Sequence, residues 1–430
     1  MAYWRALLLF SVLLLAWFSI RAGLGGFYVQ QAEQGDKAAL ASALVWQPGH
    51  PEALLSKALG LEEDDPEAAI ALLERAYRAN TSDPRPLIAL ANVLSTREQR
   101  EQADTLIDMA AQLAPADWIV QSHIAGYWAS QERFDRVLQH WSNVLSANPE
   151  RQSDLFPLML RMAESPTLRT LFEPMVKRPP VWWNDFFRYL CEQTTSAEAV
   201  GYLFSLRQQG GQPLAPEERT AYVARLQRDG MIPEAYILWV GGLKDSDQTK
   251  LASLFDGGFE LPLKQGGFGW QLAENRYFSA KQASIKGATG AAALRLRFNG
   301  FVGGFEHLSQ PLFLDPGFYR LTGEVRPDAL ESKGGLRWQV RCLLPEVKVL
   351  GDGPRFLGSS EWSQFDLSFE VPASCKYQQL ALVSAGERAF ERKLDGTIWF
   401  DNLKISSVQD LDAAARADVL LKGKQSAAKK

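Results

Sequence analysis

Histidine and cysteine are scarce: the chain has four of one and three of the other in 430 residues. None of His50, His123, His140 and His307 sits in an HExxH or beside a cysteine. A zinc site or a histidine-activated nucleophile therefore has little to build on. Basic runs are missing too, apart from the terminal KGKQSAAKK, which reads as a solubilising tail over 409–430. A net charge of −4 and a pI near 5.8 argue against a nucleic-acid partner, whose binder would carry a basic excess.

Apolar material is plentiful at 46%, and the length calls for two or three domains. The first residues, MAYWRALLLFSVLLLAWFSIRAGLGG, hold fifteen uncharged residues from Ala6 to Ile20. Trp4 and Trp17 are placed as interfacial anchors, and Arg5 can snorkel to the headgroups. An uncleaved signal-anchor over 1–26 is the favoured reading. A cleaved signal peptide is its rival, although no good A-x-A site follows. Either way the bulk of the chain belongs outside the cytoplasm. The expected location is a bacterial inner membrane, crossed once, with the rest in the periplasm.

From 30 to 150 the pattern is helical and repeats. Pro48, Thr81, Pro115 and Pro149 close successive units at spacings of 33, 34 and 34 residues. Small residues recur in phase: Ala58, Ala69 and Ala76, then Ala91, Ala103 and Ala110, then Ala125 with Val137 and Val144. Small side chains let two helices approach, and a proline after the second stops it. This period and placement resemble the tetratricopeptide repeat, best in DPEAAIALLERAYRANTSDPRPLIALANVLSTREQREQADTLIDMAAQLAP. The consensus Trp-x-x-Leu-Gly start is not kept. The resemblance implies a solenoid whose groove holds a protein partner. Divergent helical repeats continue over 151–254 and are expected to extend and cap it; Trp182, Phe186 and Tyr189 there share one helix face and read as core.

Beyond Leu254 glycines multiply and short alternating runs replace the helical period. Strands are expected at 294–298, 318–326, 336–343, 365–371, 379–384 and 397–405, which suits an antiparallel β-sandwich. The fold class is thus multidomain: a transmembrane helix, an all-α solenoid, and a β-sandwich over 255–408. Alternation puts Trp338 inside and Trp362 outside, and Trp270 reads as packing. Cys342 and Cys375 fall in this domain and suit a disulfide in an oxidising space, with two separate buried thiols as the alternative; Cys191 reads as a buried thiol.

FDGGFE, GW, LDPGFYRLTGEVR, EWSQFDLSFEVP and WFDNLKI, in that order, resemble the galactose-binding-like jelly rolls of carbohydrate-binding modules, families 4 and 9. The resemblance implies a structural calcium where the first and last strands meet, with Glu260 and Asp401 as carboxylate ligands, and Asp256 and Asn402 as possible extras. The alternative is that these acids cap turns without metal. Jelly-roll hydrolases carry alternating acids such as E-x-D-x-x-E; only Asp366 and Glu370 come near it here, so no enzyme is expected.

The outward strand positions carry Arg295, Arg297, Arg320, Arg326, Arg337 and Arg341 against three acids, Glu324, Asp366 and Glu370. Guanidinium forks match carboxylates, so Arg297, Arg320, Arg341 and Trp362 are the candidate contacts to an acidic polysaccharide. Cross-strand ion pairing is the competing explanation. The function expected is a membrane-anchored scaffold accessory to exopolysaccharide or surface-glycan assembly, or a pure protein–protein assembly factor.

Overall fold

The computed structural model describes residues 2–409, apart from 35, 37, 98, 264, 265, 274 and 302. The tail expected over 409–430 lies outside the described residues from 410 onward. The chain divides into two compact units, residues 1–186 with 201–212, and residues 187–200 with 213–430.

The first unit is helical. Helix α1 runs unbroken over Ala2–Glu33, and pairs form from α2 (Ala39–Trp46), α3 (Pro51–Leu59), α4 (Pro66–Ala79), α5 (Arg85–Thr96), α6 (Arg100–Leu113), α7 (Trp118–Ser130) and α8 (Phe134–Ala147). Within α1, Leu8–Glu33 is long and apolar enough to cross a membrane, by length and composition. Helices α2, α4, α6 and α8 each stop two residues before Pro48, Thr81, Pro115 and Pro149, the positions that close the sequence units. Starts are equally local: Pro51 and Pro66 open helices, Asp65 accepts the Ala68 N–H, and Asp117 accepts those of Ile119 and Val120. The in-phase small residues, from Ala58 to Val144, are all buried, where they set the close helix spacing. Helices α9 (Gln152–Glu164) and α10 (Glu173–Lys177) follow, with Trp182 and Phe186 in the core; the next two, α11 (Trp183–Gln193) and α12 (Ala197–Gln209), are shared between the units, which divide after Phe186 and after Val200.

The second unit holds two five-stranded antiparallel sheets. Its strands are β1 (Gln271–Leu272), β2 (Phe278–Ala283), β3 (Ala293–Phe301), β4 (Leu308–Leu312), β5 (Gly317–Glu331), β6 (Leu336–Leu344), β7 (Lys348–Asp352), β8 (Ser363–Val371), β9 (Tyr377–Ser384) and β10 (Leu394–Ser407). One sheet runs β1-β4-β9-β6-β7 and the other β2-β3-β10-β5-β8, so the last strand sits at the centre of the second. The apolar positions of the alternating runs, including Leu296, Leu321, Trp338, Leu367 and Phe400, form one core between the sheets. Trp270 stacks on Phe259 inside it, as packing. Cys342 and Cys375 are joined by a disulfide, and Cys191 is a buried free thiol.

A helix pair, α13 (Pro216–Arg228) and α14 (Ile232–Val240), belongs to this unit. Val223, Ile232, Ala235 and Trp239 pack with Phe255, Phe268 and Tyr377 of the sheet domain. Phe255 and Phe268 of the glycine-rich stretch 255–270 supply that contact. Gly257 is there because nothing larger fits: a Cβ on it would lie 1.8 Å from the Leu403 carbonyl oxygen.

Candidate functional site

Asp256 begins the corner where the sandwich closes. Its two carboxylate oxygens accept the N–H groups of Glu260 and Leu261, folding the chain into a tight turn. That turn aims Glu260 at the loop between β2 and β3, where its Oε1 accepts from Ala291 at 2.8 Å and Ala292 at 3.3 Å. From β10, Asp401 reaches the same loop: Oδ2 accepts from the Thr289 N–H at 2.6 Å, and Oδ1 from Asn402 at 2.7 Å. Glu324 of β5 joins them through the Thr289 hydroxyl. Glu260 and Asp401 are therefore brought together, each turned to backbone donors.

Burial pushes the Asp401 carboxyl up to about 6; Glu324 and Glu260 push the same way, against the Thr289 and Asn402 amides. Burial also raises Asp256 above the usual carboxylate range. Among the described residues no three His, Cys, Asp or Glu side chains are grouped as a metal cage. As they stand, Glu260 and Asp401 accept from backbone amides of the β2–β3 loop and of Asn402.

The outward arginines separate into two classes. Arg320 pairs with Asp366 at 3.1 Å, Arg337 with Asp352 at 3.2 Å, Arg341 with Glu306 at 3.2 Å, and Arg326 approaches Glu361 at 4.0 Å. Ion pairing thus accounts for four of the six, Arg320 and Arg337 across neighbouring strands and Arg326 and Arg341 to acids in loops. Arg341 and Arg337 also lie on β6, in the other sheet from Arg297 and Arg320, so the expected four contacts do not converge. Trp362 is half-buried: its Nε1–H donates to the Lys286 carbonyl at 3.2 Å, holding the β2–β3 loop instead of standing free.

Arg295 and Arg297 of β3 have no acid partner among the described residues, nor has Lys281 of β2. Lys281 and Arg295 are direct cross-strand neighbours. Arg295 in turn faces Trp399 of β10, with its guanidinium carbon 5.6 Å from the ring centroid. Trp399 faces Arg326 on its other side. It alternates with the core residues Ile398 and Phe400, so it lies on the outer face, yet only 8% of it is exposed. Its neighbours' side chains cover it. Beside this row, β2 lines a cleft of about 480 Å³ with Asn275, Arg276, Ser279 and Lys281. Lys281 and Trp399 were not singled out from the sequence. Alternation along TIWFDN would have put Trp399 outside, but its cationic neighbours come from register, which the sequence does not state.

In the helical unit, α3, α5 and α7 line a second concavity of about 320 Å³ with Leu55, Leu59, Ile88, Asn92 and His123. Glu62 borders it with Oε1 buried and without a hydrogen-bond partner. Burial and then Glu63 raise its pKa.

No protein-family model and no curated protein matches the chain. Among solved structures, the chain is similar to CBM4 at 12% identity, over 36% of this chain and 99% of that one, with a TM-score of 0.26. It is similar to the CBM22-1–GH10 modules of Clostridium thermocellum xylanase 10B, solved with xylohexaose, at 14% identity and a TM-score of 0.25. That match spans 36% of this chain but only 28% of the xylanase chain. PilF of Pseudomonas aeruginosa matches at 14% identity over 52% of this chain and 89% of its own, with a TM-score of 0.26.

Proposed function

We propose that this protein is a membrane-anchored scaffold that binds an acidic glycan on the β2–β3 side of its sandwich and a protein partner in its helical groove. The observation that carries the glycan reading is the unpaired row Lys281, Arg295 and Arg297 beside Trp399, in a domain whose other outward arginines meet acids. Guanidinium groups recognise carboxylates in pairs, and the covered Trp399 ring backs the Arg295 guanidinium from beneath. The helical groove, with apolar Leu55, Leu59 and Ile88 around the unpartnered Glu62 oxygen, suits an apolar segment bearing a cation. The protein is an accessory of exopolysaccharide or surface-glycan assembly and not itself an enzyme.

Helix α1 is retained as the anchor, in a bacterial inner membrane with the domains in the periplasm. The Cys342–Cys375 disulfide supports that side, because such bonds persist in oxidising compartments. A structural calcium is part of the proposal only as an ion that would take Glu260 and Asp401 from their amides. A higher Tm in calcium than in chelator supports it, and an equal Tm retires it.

The glycan reading is tested on the full chain in detergent, with a uronic-acid oligosaccharide and its neutral counterpart. Binding of the acidic one alone, weakened by salt and lost in Arg295→Gln/Arg297→Gln but kept in Arg320→Gln, is expected. Equal binding of both sugars, or of neither, ends it.

A further inference from the structure

We propose that the end of α2 is a second membrane contact, so that the first helix pair of the solenoid rests on the bilayer surface. This rests on reading α1 as a retained membrane span. The apolar run of α1 lies between Arg5 and Arg21, sixteen residues apart or about 24 Å of helix. A hydrocarbon core is about 30 Å thick. Arg21 is therefore held at the headgroup level, and Trp17, one turn back and about 6 Å deeper, lies at the boundary with the acyl chains.

The structure fixes α2 against this level. After Glu33 the chain turns, and the Trp46 ring comes to 6.5 Å from that of Trp17. The Arg21 Nε–H donates to the Trp46 carbonyl. This satisfies a terminal carbonyl of α2 that would otherwise face a poorly hydrated interface. The remaining guanidinium N–H groups are of the kind that binds lipid phosphate. Gly25 eases the close approach, since a Cβ there would lie 3.1 Å from the Gln47 Cβ. Val29 packs with Ala43 and Ala53, so the pairing is built into the core of the unit.

The tip of α2 also has the composition for lipid. Helix α2 is ALASALVW, without a charge, and Val45 is 77% exposed. An exposed valine beside a tryptophan, level with the Trp17–Arg21 end of the uncharged run, is in position to enter the interface. The occupant is the lipid surface itself, continuous with the bilayer around α1. The opposite end of the pair, near Glu33, stands twelve residues beyond Arg21, about 18 Å farther out, in water.

Full-length Val45→Cys and Glu33→Cys variants, spin-labelled in nanodiscs of phosphatidylethanolamine and phosphatidylglycerol, test this. The native cysteines do not compete, since two are paired and Cys191 is buried. Both substituted positions are exposed, so folding is not at stake. A label at 45 should collide more with oxygen than with a water-soluble nickel chelate, and a label at 33 the reverse. Nickel dominating at both sites, in protein whose intact mass retains residue 2, overturns the contact and leaves the anchor standing. A mature chain that begins beyond the apolar run overturns both.

Discussion

Raising the pH from 4.5 to 7 should cost the sandwich stability through Asp401. Its carboxyl titrates near 6 in the folded chain, against about 3.9 when unfolded. Between those values the folded state holds the extra proton, so stability is fullest below the unfolded value and falls as pH rises through the folded one. A shift of about two units is worth about 3 kcal/mol at full strength. Asp401 itself is fully buried, but Thr289 beside it is exposed and Glu324 only partly covered, so water screens the corner. We therefore expect about 1 kcal/mol. Asp256, raised by burial, adds to the fall, whereas His307, lowered by burial, opposes it. Asp401→Asn isolates the contribution, because it removes one titration and leaves the other two. Urea unfolding of both proteins from pH 4.5 to 7, in chelator, should give the wild type a steeper decline by about that amount. Parallel profiles would refute the assigned cause, and calcium that flattens the wild-type profile would mean the ion holds Asp401 ionised.

Three further outcomes are expected. Cys342→Ser/Cys375→Ser opens a loop of 33 residues and should lose about 3–4 kcal/mol in denaturant unfolding. Gly257→Ala drives a methyl into the Leu403 carbonyl, and the Leu403 N–H bond to Gly257 must lengthen, for a loss of about 2–3 kcal/mol by the same assay. Arg225 is buried, pairs with Asp229 at 2.6 Å and donates to the Thr194 carbonyl at 2.7 Å, so Arg225→Ala should cost about 3 kcal/mol, and the exposed Arg228→Ala, which gives up bonds to the Glu192 and Cys191 carbonyls, should cost less.

The order of helices and strands was legible because both halves write their period in small or apolar residues. Ala69, Ala76, Ala103 and Ala110 recur where helices touch, and Leu336, Trp338, Val340 and Cys342 alternate into one core. Pattern alone says that a face is buried, not what buries it. Helices α13 and α14 carry the texture of the repeats before them, yet Trp239 packs on Phe255 and Tyr236 on Phe268 of the sheet domain. Those partners are aromatic residues in a glycine-rich stretch with no period of its own. The corner of Glu260 and Asp401 was placed from the ordered motifs. The loop amides that answer both carboxylates lie in GATGAA, a stretch with no side chain to announce them.

Outward arginines were legible as outward, but their fates depend on register. Arg320 meets Asp366 because Thr322 is paired with Asp366 and the guanidinium reaches along the strand, a relation across 46 residues. Lys281 and Arg295 meet each other instead. Like charges directly opposite on an antiparallel pair destabilise it by up to about 1 kcal/mol, and among the described residues no acid pairs with either to relieve it. A ligand anion would supply the missing charge. Stability and binding should therefore respond to Lys281→Gln with opposite signs. At low salt the variant should unfold about 0.5 kcal/mol later than the wild type, while its affinity for a uronic-acid oligosaccharide falls. The gain should vanish at high salt, where the repulsion is screened. A variant that is less stable with unchanged affinity would mean that Lys281 only packs its stem along the strand, and the row would lose its standing as a ligand site.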